Sequence, residues 1–171
     1  YNLRGFSRYE HCVGVMLLLR VLGADLKEQV AGLLHDVSHT AFSHLADWVI
    51  GNPAEEDYQD KNHKNFILNS EIPNILSRYN YHVEEIVDLE RFGLLERKAP
   101  KLCADRIDYA LREFYYWAAP EVIQICLDNL RIYDGRIVFE SKHAAFLFGE
   151  NYMKLQTKHW GDAETVLRYH L

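Results

Sequence analysis

A histidine and an aspartate stand side by side at the end of an apolar run in this chain, in the stretch Leu33-Leu34-His35-Asp36. Burying both an imidazole and a carboxylate costs several kcal/mol unless they are paired or hold a cation. A metal ion supplies that compensation. Neutral imidazole with carboxylate suits Mn, Fe, Ni or Zn, with Mg also possible. Taken alone, the pair has a plainer reading: a satisfied core histidine beside a solvated helix end.

Successive residues of a regular helix diverge by about 100°, so His35 and Asp36 can reach one ion only where the helix bends or stops. Val37, Ser38 and Thr40 follow at once and are weak helix formers, which fits an ending there. Other residues could join them. His11 follows Arg8 by three positions, so the two share a helix face, and Asp105 and Asp108 are spaced the same way. Asp108 could equally pair with Arg112 at i+4. Arg8 could contact a phosphate through both guanidinium arms, or form an ion pair with Asp36 or Asp105. His39 is four residues after His35, and its role depends on the turn between them.

The elements that must position these groups read as helices. Residues 7–22 carry Val13, Met16, Leu17 and Leu18 and stop at Gly23. Asp25 opens a second helix, with Glu28 in capping-box spacing. A short helix is expected over 42–50, and the acidic stretch 54–60 reads as a solvated loop. Helical patterns continue at 61–69, 72–79, 82–89 and 90–96. Pro100 sits at a plausible first helical position of a long helix through Trp117. Another helix runs from Pro120 to near Leu130. Asp134-Gly135 then divides two β-prone runs over 130–139, a two-residue hairpin signal. Ser141 caps a last long helix carrying Phe146, Phe148, Tyr152 and Leu155. The expected class is all-α with one small hairpin, in a single domain over 1–171.

Composition narrows the function classes. The 171 residues are 49% apolar and 26% charged, as in a globular domain. A net charge of -6 argues against broad nucleic-acid backbone binding. Three cysteines without CxxC spacing argue against a disulfide framework and point to a reducing, cytoplasmic setting. No apolar run reaches the roughly 20 residues a spanning helix needs, and there is no signal peptide. The chain starts at Tyr1 and stops inside a helical pattern, so residues are expected to be missing at both ends.

The order of motifs resembles a known superfamily. Arg8-x-x-His11, His35-Asp36-x-x-His39, His63 and Asp105-Arg106-x-Asp108-Tyr109 together look like the HD-domain phosphohydrolases. SRYEHCVGV, GLLHDVSHTAFSH and ADRIDYALRE are most similar to the deoxynucleoside triphosphate triphosphohydrolase branch. The resemblance covers roughly residues 4–117. It implies an HD-domain helical bundle, usually in a homo-oligomer, with His11, His35, Asp36 and Asp105 on one divalent metal. It implies phosphate-side roles for His39 and His63, and phosphate and sugar contacts for Arg106 and Tyr109. His44 would brace the loop. Where the branch often has Asp, this chain has Glu113, which puts the sugar contact in doubt.

The reading that follows is hydrolysis of a nucleotide phosphate ester, a (deoxy)nucleoside triphosphate by branch resemblance. A nucleotidase or phosphodiesterase of the same superfamily is the alternative. A non-catalytic nucleotide-sensing module is a further one.

Overall fold

The computed structural model describes residues 5–40, 49, 58–117 and 119–163. Helix α1 spans Arg8–Val21. Its start is a complete capping box, in which Ser7 Oγ accepts the Glu10 N–H and the Glu10 carboxylate accepts the Ser7 N–H at 2.7 Å. It stops where Gly23 turns left-handed at φ 81°, so that the Gly23 and Ala24 N–H groups close onto Arg20 O and Leu19 O at 3.1 and 3.0 Å. Helix α2, Leu26–Leu34, begins two residues on, with Asp25 accepting the Glu28 N–H at 2.8 Å.

Gly32 lets α1 and α2 lie close. A Cβ there would come 2.6 Å from Leu19 Cδ1 and 3.2 Å from Val15 Cγ1. Val15, Leu19 and Ala31 are fully buried in the resulting seam.

Helices α3 (Tyr58–Leu68) and α4 (Ile72–Arg78) precede two short 3-10 turns, Val83–Glu85 and Leu89–Arg91. Helix α5 (Ala104–Trp117) packs on α1 and buries Ile107, Ala110 and Phe114. A 3-10 turn at Pro120–Val122 leads into α6 (Ile123–Asp128). Strands β1 (Leu130–Tyr133) and β2 (Arg136–Phe139) form the expected antiparallel hairpin, with Tyr133 opposite Arg136. Asp134 and Gly135 both take positive φ, 50° and 64°, as a mirror-image two-residue turn requires. Ser141 caps α7 (Lys142–Leu155), which lays Phe148 and Leu155 into the core. The fold is therefore helical with one small hairpin, as expected. No described helix is long and apolar enough to cross a membrane.

Four local expectations need correction. Residues 82–96 form short 3-10 turns and loop instead of two helices. Over 83–92 N–H groups close short turns, Ile86 on Val83 O, Arg91 on Asp88 O and Phe92 on Leu89 O; further on, Glu28 Oε1 accepts the Leu94 and Leu95 N–H groups at 2.7 and 3.0 Å, so those two donors do not climb a helix. For the same reason the capping box expected at Asp25 and Glu28 is only half present. Pro100 lies in a turn before α5 and does not open it, because the Arg97 and Lys101 carbonyls face the Arg106 guanidinium. Tyr58, Gln59 and Asp60, expected in a loop, are the first turn of α3. The helix expected over 42–50 and residues 54–57 of the acidic stretch lie outside the described residues.

Glu28 thus ties α2 to the segment that leads into α5. Glu28→Ala removes the acceptor for two part-buried N–H groups and is expected to cost about 1–3 kcal/mol. Urea unfolding of this variant beside the parent checks it; a change under about 0.5 kcal/mol would contradict the assignment.

Candidate metal centre

Three helix ends meet at the site. His11 lies in the first turn of α1, Asp105 in the first turn of α5, and His35 is the C-cap of α2. Past His35 the chain turns tightly, with Val37 N–H on Leu34 O at 3.2 Å and His39 N–H on Asp36 O at 3.2 Å. Across that turn His35 Nε2 and Asp36 Oδ1 come within 3.5 Å of each other, so the two neighbours can face one point.

Donor atoms of His11, His35 and Asp36 lie within 4.8 Å of one another, and Asp105 stands against both imidazoles. His11 Nε2 lies 2.9 Å from Asp105 Oδ1 and 3.8 Å from Asp36 Oδ2. His35 Nε2 lies 3.4 Å from Asp105 Oδ1 and 3.5 Å from Asp36 Oδ1. Donors about 2.0–2.2 Å from a common ion stand roughly 2.8–4.4 Å from one another, and these separations fall in that span. His35 Nδ1 donates to the Gly32 carbonyl at 2.7 Å, which leaves Nε2 facing the carboxylates. That nitrogen is buried and has no hydrogen-bond partner. An orphaned imidazole nitrogen among two carboxylates and a second imidazole fits a divalent cation in donor type and charge.

Without a cation, protons do part of this work. Burial opposes charge on His11, but its hydrogen bonds to Asp105 and Asp108 lift the imidazole to about 9. Burial likewise opposes charge on His35, and Asp105, the Cys12 thiol and Asp36 together raise it well above its ordinary value. Burial alone would raise both carboxyls. His39, His35 and Arg8 instead hold Asp36 far below the carboxylate range, and His11 and His35 do the same for Asp105.

The remaining expected residues are placed unevenly around this core. Arg8 pairs with Asp36 through Nη1 and Oδ2, the ion-pair alternative left open by the sequence. His39 Nε2 is 3.4 Å from Asp36 Oδ1. His63 is buried on α3, its Nδ1 3.4 Å from Ser38 Oγ and its Nε2 unpartnered. Burial and the nearby His35 lower its pKa, so it is a neutral imidazole. Arg106 is turned away from the carboxylates, with Nη1 donating to Arg97 O at 3.2 Å and to Lys101 O. The Tyr109 ring centroid is 6.5 Å from that of His11, and its hydroxyl meets Tyr152 Oη at 2.9 Å. Glu113 is beside His159 Nε2 at 3.5 Å. His44 lies outside the described residues.

Two residues at the site were not read as such from the sequence. Gln59 Nε2 donates to Asp36 Oδ1 at 3.4 Å from the first turn of α3; an isolated glutamine in an acidic stretch carries no signal for this. Asp108 does pair with Arg112, at 2.6 Å, but the same oxygen also sits 2.8 Å from His11 Nδ1. Its i+3 spacing from Asp105 was the available hint.

Comparison with known proteins agrees with this arrangement. The family model for the HD domain matches residues 8–112. The chain is 49% identical over 151 residues to an uncharacterised Bacillus subtilis protein, YdhJ, covering 86% of this chain and 46% of that one. It is 32% identical over 171 residues to a Cordyceps militaris protein named metal-dependent phosphohydrolase cns2, covering 95% of this chain and 49% of that one. The chain thus spans about half the length of the curated relatives it matches. With all four convergent donors inside the matched region, which takes in more than half of its residues, this chain belongs to the HD-domain family.

Proposed function

We propose that this chain carries the catalytic centre of a metal-dependent phosphohydrolase acting on a phosphate ester of a nucleotide. His11, His35, Asp36 and Asp105 would hold one divalent transition ion, Mn, Fe, Ni or Zn. The observation that carries this reading is the convergence of those donors around the orphaned His35 Nε2. The printed name of the Cordyceps relative supports the reaction class. When bound, such an ion supplies Lewis-acid polarisation of a phosphate oxygen and a coordinated water acidic enough to act near neutral pH.

The chain's own groups divide the remaining work. Asp36 stays ionised and gathers His39, Gln59 and Arg8 around its carboxylate. Arg8 is the guanidinium placed to neutralise a phosphate entering at Asp36. His39, with Nε2 at 3.4 Å from Asp36 Oδ1, is the imidazole that would serve the leaving oxygen. The neutral His63 can donate or accept a hydrogen bond at its unpartnered Nε2. The half-buried Tyr109 phenol, whose pKa burial and Tyr152 raise, stays protonated as a wall beside His11.

Branch resemblance favours a (deoxy)nucleoside triphosphate. One observation favours a monophosphate ester instead. Arg106 Nη1 is committed to the Arg97 and Lys101 carbonyls, and a triphosphate brings more negative charge to be neutralised than a monophosphate does.

A nucleotide panel read separately for phosphate, pyrophosphate and tripolyphosphate decides between these substrates. Asp36→Asn is expected to lower kcat on the order of a thousandfold or more. Turnover that survives this substitution would sink the mechanism, and a parent chain that binds nucleotide without turnover under every divalent ion would point to a sensing module.

The pH dependence has a definite sign. In the metal-free chain the His11 imidazolium contributes stability that is complete below 6.5 and lost as pH rises through about 9. A divalent ion must displace that proton, so Mn²⁺ affinity should rise with pH up to about 9. Calorimetry near pH 7 in buffers of different ionisation enthalpy should register proton release on binding; an apparent enthalpy independent of buffer would contradict this.

A further inference from the structure

The proposed metal reading uses one nitrogen of His11 and leaves open what fixes the other. His11 Nδ1 is 2.8 Å from Asp108 Oδ2, on the ring edge opposite Asp105. Asp108 is itself held, because Arg112 Nε donates to the same oxygen at 2.6 Å. Arg112 in turn donates from Nη2 to the Glu10 carbonyl at 2.7 Å, and its guanidinium lies over the Phe6 ring at 5.4 Å. These contacts bolt α5 to the first turn of α1, the turn that carries His11.

The space for this arrangement comes from Gly14. A Cβ at that position would lie 2.1 Å from Asp108 Oδ1 and 2.3 Å from Arg112 Nη2. Any larger residue must therefore push the carboxylate or the guanidinium aside. Gly14 is one helical step from His11 on the same face, so α1 presents an imidazole and a gap side by side.

We propose that Asp108 is the positioning residue of the centre: it accepts the His11 Nδ1–H and so fixes the tautomer whose Nε2 lone pair faces Asp105 and Asp36. A carboxylate accepts hydrogen bonds and cannot donate one; Asp105 stands 2.9 Å from Nε2 and Asp108 2.8 Å from Nδ1, so a cation taken up at Nε2 leaves Asp108 the Nδ1–H to accept. Arg112 and Gly14 act through Asp108 by holding its position. The tautomer and its link to metal binding rest on the reading of the four ligands given above.

Two measurements separate these claims. Histidine-labelled ¹⁵N spectra of the Zn²⁺-loaded parent should show His11 metallated at Nε2 and protonated at Nδ1. Zinc on Nδ1, or an Nδ1 without its proton, would overturn the proposal with no variant needed. Mn²⁺ titration should then give Asp108→Asn and Gly14→Ala affinities about 10–100-fold weaker than the parent. Unchanged affinity in both variants would overturn the link from Asp108 to the metal. A parent that binds neither Zn²⁺ nor Mn²⁺ would instead overturn the four-ligand reading alone.

Discussion

The Asp36 carboxylate keeps only about a tenth of its side chain in water, yet it must remain charged. A lone buried carboxylate is costly, and it is tolerated only where opposite charge and hydrogen-bond donors surround it. Here Arg8, His39, Gln59, His11 and His35 all turn toward Asp36, and Asp105 adds a second buried charge that needs the same imidazoles. The helices have to deliver these groups to one point. That requirement explains why α2 stops at His35, and why α1 and α5 each bring their first turn to the centre.

Helix packing follows from the same demand. Two glycines mark the closest approaches, Gly32 where α2 meets α1 and Gly14 where α1 meets Asp108 and Arg112 of α5. At each, a methyl group would displace a neighbour, so the seams are set by the absence of a side chain. The Glu28 carboxylate then ties α2 to Leu94 and Leu95, and through that loop to the start of α5. The four candidate donors are thus fixed by links between helices more than by any one element.

These links also explain what could and could not be read from the sequence. His35-Asp36 was legible because an apolar helix ran straight into two polar ligands, and helix-weakening residues followed. The hairpin was legible because Asp134-Gly135 supplies two positive φ angles locally. The pairing of His11 with Asp105, across 94 residues, rested on motif resemblance; helix faces alone left each with an ordinary surface role. The end of the segment 82–96 was misread because the Leu94 and Leu95 N–H groups go to Glu28, 66 residues before Leu94, a partner no local pattern announces. Gln59 escaped notice for the same reason, since its contact with Asp36 depends on where α3 is placed.

A crystal of this chain soaked in Mn²⁺ and measured for anomalous scattering tests the four-ligand centre most directly. One peak is expected within about 2.0–2.3 Å of His11 Nε2, His35 Nε2, an Asp36 oxygen and an Asp105 oxygen. Density at another cluster, or none among these four residues at saturating Mn²⁺, would contradict it.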